Sequence, residues 1–140
     1  MIEVRARELA DHAAGVLDVG DIERVHDMRV TSRRLRAALE IFEPCFPRKR
    51  FRAALEEVKA LADALGERRD RDVAIKALED FAAGLPAPDR PGVGSLVDLL
   101  GAEQASANEA LRPFVSPDRL GSLGERLADL AAEARGRAQR

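Results

Sequence analysis

One segment of the chain combines a helical pattern of apolar residues with a row of cations. Its apolar residues recur at steps of three, four or seven, which at about 100° of rotation per residue places them on one stripe of an α-helix. Eleven positions of the same segment, from His26 to Arg36, hold one histidine, four arginines and a single acid. The spacing therefore predicts an amphipathic helix whose buried stripe consists of Val25, Met28, Leu35, Leu39 and Phe42.

The cations of this segment are predicted to flank the buried stripe. His26, Arg29, Arg33 and Arg36 fall within an arc of roughly 80° at helical spacing, about 110° from the apolar stripe. Arg34 lies further round the helix and is either a rim contact or an ordinary surface charge. The planar guanidinium group of arginine donates bidentately to phosphate oxygens and stays charged at physiological pH. Such a row therefore favours an anionic ligand.

A plainer interpretation is a solvated helix face whose cations pair with nearby acids. Counting neighbours three or four residues away, only Arg36 has such an acid, Glu40, while Arg29 and Arg33 have none on their own face. Unpaired arginines beside a core stripe are costly to crowd together without an anion. His26 is predicted to donate to a phosphate oxygen, or else to form a hydrogen bond within the bundle.

Composition favours an all-α fold. Hydrophobic residues make up 46% of the 140 residues, and Tyr and Trp are absent, so strands have little support. We expect one domain over residues 1–140: an antiparallel helical bundle of five or six helical segments with a four-helix core. Residues 84–94 hold three prolines and three glycines and are predicted to be a surface connection without helix. The expected helices span about residues 2–18, 21–43, 49–65, 70–83, 95–111 and 117–135.

Several helix ends are predicted from particular residues. Gly20 is expected to terminate the first helix and Asp21 to cap the second. Gly66 is expected to separate the third helix from the fourth, with Asp70 as the N-cap of the fourth. Ser95 could cap the fifth helix. Ser116 followed by proline has the chemistry of a cap and first position for the last helix.

The charge is distributed unevenly along the chain. The net charge is −2, yet residues 24–76 contain 14 Lys and Arg against 9 Asp and Glu. The rest of the chain holds 9 basic against 16 acidic residues. Local field, and not the total charge, steers a ligand to its site. A polyanionic ligand is therefore expected at the basic half.

Single features of the sequence bear on disulfides, cellular location and metal sites. The lone Cys45 excludes an internal disulfide. No signal peptide and no apolar run of roughly 18 residues is evident, so we expect no membrane association and a cytoplasmic location. Glu23 and His26 form a Glu-x-x-His step of the kind that di-iron bundles use. Arg29 would oppose a dication there, so we expect no metal and no cofactor.

Two motifs resemble the signature of CHAD domains, the conserved histidine α-helical domains. The first runs from His26-Asp27-Met28-Arg29-Val30 to Arg33-Arg34-Leu35-Arg36. The second runs from Leu65 to Val73, Leu-Gly-Glu-Arg-Arg-Asp-Arg-Asp-Val, and resembles the family's Leu-Gly-x-x-Arg-Asp-x-Asp-Val sequence. The likeness continues at Lys59, where the family favours a basic residue.

The resemblance implies a helical domain that binds inorganic polyphosphate in a basic central channel. Some members are fused to a tunnel-type triphosphatase domain, and some associate with polyphosphate granules. Lys59 shares a flank of its helix with Arg48 and Arg52, and could instead be a lysine that covers the core. Asp70 and Asp72 are interpreted as structural acids that could hold an arginine of the second helix in position. The predicted polyphosphate contacts are His26, Arg29, Arg33, Arg34, Arg36, Arg52, Lys59 and Arg69.

The chain resembles only the first half of a typical member, since CHAD domains commonly consist of two similar four-helix halves. The arginine-rich pattern occurs once. A homodimer would supply the missing basic helix through a two-fold copy. The alternative is a reduced form with a one-sided groove.

We expect a binding module without catalytic residues. The alternative is a phosphoanhydride hydrolase, or an accessory domain of one, although no Walker loop, metal cage or nucleophile–base pair is evident. Nucleic acid is a less favoured partner because the aromatic residues that stack bases are scarce: the chain has five Phe and no Tyr or Trp.

Overall fold

A computed structural model describes residues 2–138. Over this range the chain forms five α-helices and no strands, which confirms the all-α prediction. Short 3₁₀ turns lie between the second and third helices, before the fourth and before the fifth. The helices are α1 (Ile2–His12), α2 (Ile22–Ile41), α3 (Arg48–Ala83), α4 (Arg90–Leu111) and α5 (Pro117–Ala138).

Four helices enclose the main core. The packed pairs are α1 with α2, α2 with α3, α1 with α5 and α3 with α5, while α4 lies along α3. Val25, Met28 and Leu35 of α2 are completely buried, as the apolar stripe predicts. Burying a side chain of this size stabilises the fold by about 1.5–3 kcal/mol. Phe42 is the exception: it ends the stripe but remains 38% exposed.

The first helix is shorter than predicted. It ends at His12, and the turn that follows contains Gly15, whose φ of 76° lies in the left-handed region that favours glycine. The prediction that Gly20 ends the first helix is therefore wrong: Gly20 lies in a later turn, just before α2. Asp21 is the residue before α2 as predicted, but its carboxylate accepts a hydrogen bond from Arg24 Nε (2.9 Å) and caps no backbone N–H.

The third and fourth predicted helices are one continuous helix of 36 residues, α3. The predicted break at Gly66 is wrong, and Asp70 caps nothing because it lies in mid-helix. A mid-helix glycine costs only about 1 kcal/mol relative to alanine. The buried residues on either side of it, Leu65 and Arg68, are both 0% exposed, and their packing outweighs that cost.

The proline- and glycine-rich segment is also more helical than predicted. A 3₁₀ turn spans Ala87–Asp89, and α4 begins at Arg90. Pro91 occupies the first turn of α4, where a missing N–H removes no intrahelical hydrogen bond. Ser95 is therefore inside the helix and does not cap it; its hydroxyl donates to the carbonyl of Pro91 (3.1 Å). The last prediction is confirmed: Ser116 Oγ accepts from the N–H of Arg119 (3.3 Å) at the start of α5.

Candidate functional site

The predicted cations of α2 lie beside its buried stripe. His26 and Arg29 are half-buried, Arg33 is exposed, and the side chain of Arg36 is 41% exposed. None of them points into the core, because the core stripe occupies a different side of the helix. Arg34 is exposed and, by helical spacing, lies on the opposite flank of the stripe from Arg29 and Arg36.

Two contacts define how α2 runs against α3. Arg69 Nη1 of α3 donates to the carbonyl of Ile22, the first residue of α2, at 3.2 Å. Seven residues further along α2, Arg29 lies across Gly66: a Cβ added at Gly66 would be 3.7 Å from Arg29 Nε and 3.8 Å from its Nη2. Moving forward along α2 thus means moving backward along α3, so the two helices are antiparallel.

This register brings the cations of α3 to the same side. Residues seven apart lie on nearly the same face of a helix, about 10.5 Å apart along its axis. Lys59 and Arg52 are one and two such steps before Gly66, so they share the face that contacts Arg29. Because the helices are antiparallel, Arg36, seven residues after Arg29, lies toward the Lys59 end of this face.

We name the resulting surface the cationic face. Its α2 side is half-buried or exposed, and on its α3 side Lys59 is half-buried while Arg52 is exposed. From the level of Gly66 to that of Arg52 it extends about 21 Å, since a helix rises about 1.5 Å per residue. In a single chain it is an open strip. The cationic face consists of His26, Arg29, Arg33, Arg36, Arg52 and Lys59.

The cationic face carries a surplus of positive charge that the protein itself does not neutralise. Arg36 pairs with Glu40 at 3.1 Å and Lys59 with Glu56 at 3.6 Å, both at the surface. Within residues 2–138, no carboxylate lies within 4.0 Å of the other three cations that are always charged. Their N–H groups are available to an anion in solution. These three are Arg29, Arg33 and Arg52.

Arg69 stands apart from the cationic face. It is half-buried, and its recorded contact is the hydrogen bond to Ile22, which ties the start of α2 to α3. A ligand contact stays a prediction for Arg69 and Arg34, as it does for the residues of the cationic face.

The structure also contains a buried charged group that was not predicted from the sequence. Arg68 of α3 is 0% exposed. Its Nε donates to Asp72 Oδ1 (2.9 Å) one turn later, and its Nη1 donates to the carbonyl of Val16 (3.0 Å) and to Asn108 Oδ1 of α4 (2.7 Å). Its Nη2 reaches the carbonyl of Asp18 at 3.3 Å. One side chain thus joins α3, α4 and the segment between α1 and α2.

Other polar side chains complete this buried network. Asn108 Nδ2 donates to the carbonyl of Leu17 (2.9 Å), and Gln104 Nε2 donates to Asp72 Oδ1 (2.6 Å). Asp72 is 1% exposed, and its second oxygen, Oδ2, has no hydrogen-bond partner. Asp72 is structural, as predicted, but it holds an arginine of its own helix and not one of α2.

The spacing of α3 contained a signal for this network. The buried positions Val58, Leu61 and Leu65 continue at steps of three and four to Arg68 and Asp72. An arginine and an aspartate four residues apart on a core stripe indicate a buried ion pair, because a charge is buried only with a partner. The motif that resembles CHAD sequences contains both residues.

Among residues 2–138, no group of three or more His, Cys, Asp and Glu is arranged to hold a metal ion. Over the same residues, the helices lack any stretch that is both long and apolar enough to span a bilayer.

Comparison with known families gives a match. A sequence model described as the CHAD domain matches residues 1–140, which is the whole chain. No curated protein and no solved structure matches it.

Proposed function

The chain belongs to the CHAD domain family, and we propose that it binds inorganic polyphosphate along the cationic face without hydrolysing it. Members of this family are generally associated with polyphosphate. The observation that carries this proposal is the alignment of cations from α2 and α3 along one helix boundary. Three arginines of the cationic face, Arg29, Arg33 and Arg52, have no carboxylate partner within residues 2–138. A linear polyphosphate chain carries about one negative charge per unit. Its successive units can therefore contact successive cations along the cationic face.

The length of the cationic face limits the ligand. A chain must extend over about 21 Å to reach from the level of Gly66 to that of Arg52. Affinity should therefore rise with chain length until the ligand spans this distance. Orthophosphate and pyrophosphate, which reach one level only, should bind much more weakly than long-chain polyphosphate.

The first test is the dependence of binding on salt. Each phosphate contact releases condensed counterions, and by analogy with single-stranded nucleic acid each contributes about −0.7 to the slope of log affinity against log salt. Six contacts would give a slope of about −4. An affinity for long-chain polyphosphate that stays constant when salt is raised several-fold would contradict this mechanism.

A charge-reversal variant tests the location of the site. Arg29→Glu with Arg33→Glu should abolish binding and leave the helix content unchanged, because both side chains lie outside the core. The matched control is Arg7→Glu with Arg90→Glu, which changes the net charge equally at exposed positions on α1 and α4. Equal losses in the two variants would mean that total charge, and not the cationic face, governs binding.

Absence of catalysis is tested by phosphate release. Incubation of polyphosphate with the protein, with and without magnesium, should release no orthophosphate above the rate seen without protein. Release that depends on the protein would favour the phosphoanhydride hydrolase instead.

Competition between polyphosphate and RNA at moderate salt tests ligand class, and we expect polyphosphate to displace RNA.

We further propose that a homodimer completes the site. A two-fold copy would bring a second cationic face and could convert the open strip into a channel. The molar mass in solution, measured with and without polyphosphate, tests this: a dimer is expected at least when the ligand is bound. A monomer under both conditions would leave a one-sided groove.

In a cell, we propose a cytoplasmic location at polyphosphate granules.

A further inference from the structure

Gly66 is in an unusual position for a glycine. It lies in the interior of α3, with negative φ and no turn or break to explain it. Glycine in a helix interior is unfavourable because it loses more conformational freedom on folding than any other residue. The guanidinium group of Arg29 approaches Gly66 from the neighbouring helix, at a distance that an added Cβ would contact without a clash.

The guanidinium group approaches the Cβ position of Gly66 with more than one of its atoms. A Cβ built on Gly66 would be 3.7 Å from Nε, 3.8 Å from Nη2 and 4.0 Å from Cζ of Arg29, so three atoms of the planar group are nearly equidistant from that point. No carboxylate within residues 2–138 holds this arginine by an ion pair. Its half-buried position therefore depends on packing against α3, and a large side chain at residue 66 would occupy the same space.

We propose that residue 66 is a positioning residue for polyphosphate binding: the absence of a large side chain at Gly66 leaves room for Arg29 to cross from α2 onto α3. In this position Arg29, a residue of α2, also contacts α3. Its guanidinium group then lies in line with Lys59 and Arg52 on the Gly66 side of α3. Displaced by a side chain at residue 66, Arg29 would extend into solvent and leave the line. The proposal rests on the proposed function, because it concerns how one cation of the same face is oriented.

Substitutions of different size at residue 66 separate this role from a structural one. Gly66→Leu should displace Arg29, whereas Gly66→Ala should not, since a Cβ there makes ordinary van der Waals contact. Gly101→Leu is the matched control. It also replaces a mid-helix glycine, in α4, and nothing lies within 4 Å of the Cβ position.

A double-mutant cycle with Arg29→Ala tests the proposal through affinity for long-chain polyphosphate. Loss of a charge-assisted contact is expected to weaken binding on the order of tenfold in Arg29→Ala. Gly66→Leu should lose a similar factor, and the double variant should lose no more than either single one. Gly101→Leu should bind like the wild type. Losses that multiply in the double variant, or wild-type affinity in Gly66→Leu, would overturn the proposal.

A measurement without ligand distinguishes failure of this proposal from failure of the proposed function. The side-chain Nε–H resonance of Arg29 in an ¹H–¹⁵N spectrum, assigned by its loss in Arg29→Ala, should be shifted from the solvent-exposed arginine signals in the wild type and in Gly66→Ala. In Gly66→Leu it should move to the exposed position. If the wild type shows this shift yet binds no polyphosphate, the proposed function fails while the packing of Arg29 on Gly66 stands. An Arg29 signal at the exposed position in the wild type would overturn the positioning role.

Discussion

Replacement of Arg68 by methionine should destabilise the protein far more than replacement of any surface arginine. Methionine fills much of the same volume but donates no hydrogen bond. The substitution removes the partner of Asp72 and the donors to Val16, Asp18 and Asn108. The carboxylate of Asp72 would remain buried with Gln104 as its one recorded donor in the described chain.

The expected magnitude follows from the burial of both partners. Arg68 and Asp72 side chains are each 0% exposed, and removal of one member of a buried ion pair typically costs about 3–5 kcal/mol because the other charge is left uncompensated. At about 0.05–0.15 kcal/mol per residue, a chain of this length has a total stability of about 7–20 kcal/mol. Arg68→Met should thus remove a large share of it.

Equilibrium urea denaturation, followed by the helical circular dichroism signal, measures this loss directly. Arg71→Met is the control: Arg71 lies on the same helix but is 29% exposed and pairs with Glu67 at 2.5 Å and with Glu103 at 3.8 Å. Such a surface pair contributes about 0–1 kcal/mol. Both variants should have the wild-type denaturant slope if folding remains two-state.

A second substitution identifies the source of the loss. Asp72→Leu added to Arg68→Met removes the orphaned carboxylate and should recover a substantial part of the stability, since a buried ion pair replaced by apolar groups is often neutral or stabilising. The reasoning is refuted if Arg68→Met costs no more than Arg71→Met, or if the double variant is less stable than Arg68→Met alone.

Two further predictions concern stability. Gly66→Ala should raise the free energy of unfolding by about 0.5–1 kcal/mol, as expected for glycine to alanine in a helix interior; urea denaturation would contradict this if the variant is less stable than the wild type. Glu3 on α1 accepts a hydrogen bond from Arg135 on α5 (2.6 Å), and this bond and the positive charge hold the pKa of Glu3 below its ordinary value of 4.5. A carboxyl with a lowered pKa stabilises the fold above its unfolded pKa and loses that contribution as pH falls through the folded pKa. Glu3→Gln should therefore be less stable than the wild type at neutral pH, and the difference should vanish in acid; a difference that grows on acidification would have the wrong sign.

The sequence predicted the elements whose signals are local. The stripe of Val25, Met28 and Leu35 is buried as its spacing predicts, and Ser116 caps α5. The ion pair on α2 was also predictable from the sequence, because Arg36 and Glu40 are one helical turn apart. The structure contains this ion pair. Helical periodicity and short-range spacing alone decide these features.

Breaks in helices were predicted less well. Gly66 and the segment 84–94 contain residues that disfavour helix, and the sequence therefore predicts helix ends there. In the structure α3 continues through Gly66 and α4 starts at Arg90. A propensity cost of about 1 kcal/mol is small beside the burial of neighbouring core residues, and that burial is known only once the helices are packed.

The sequence by itself determined that this chain is a helical bundle with a row of cations beside a core stripe. Only the tertiary structure decided which cations of α3 join that row, since the register of α2 on α3 depends on contacts such as Arg69 with Ile22, 47 residues apart. It also decided that Arg68 lies inside, bonded to Val16 and Asn108. Spacing within one helix fixes which residues share its faces, but the partner that each face meets is fixed by packing between segments distant in the chain.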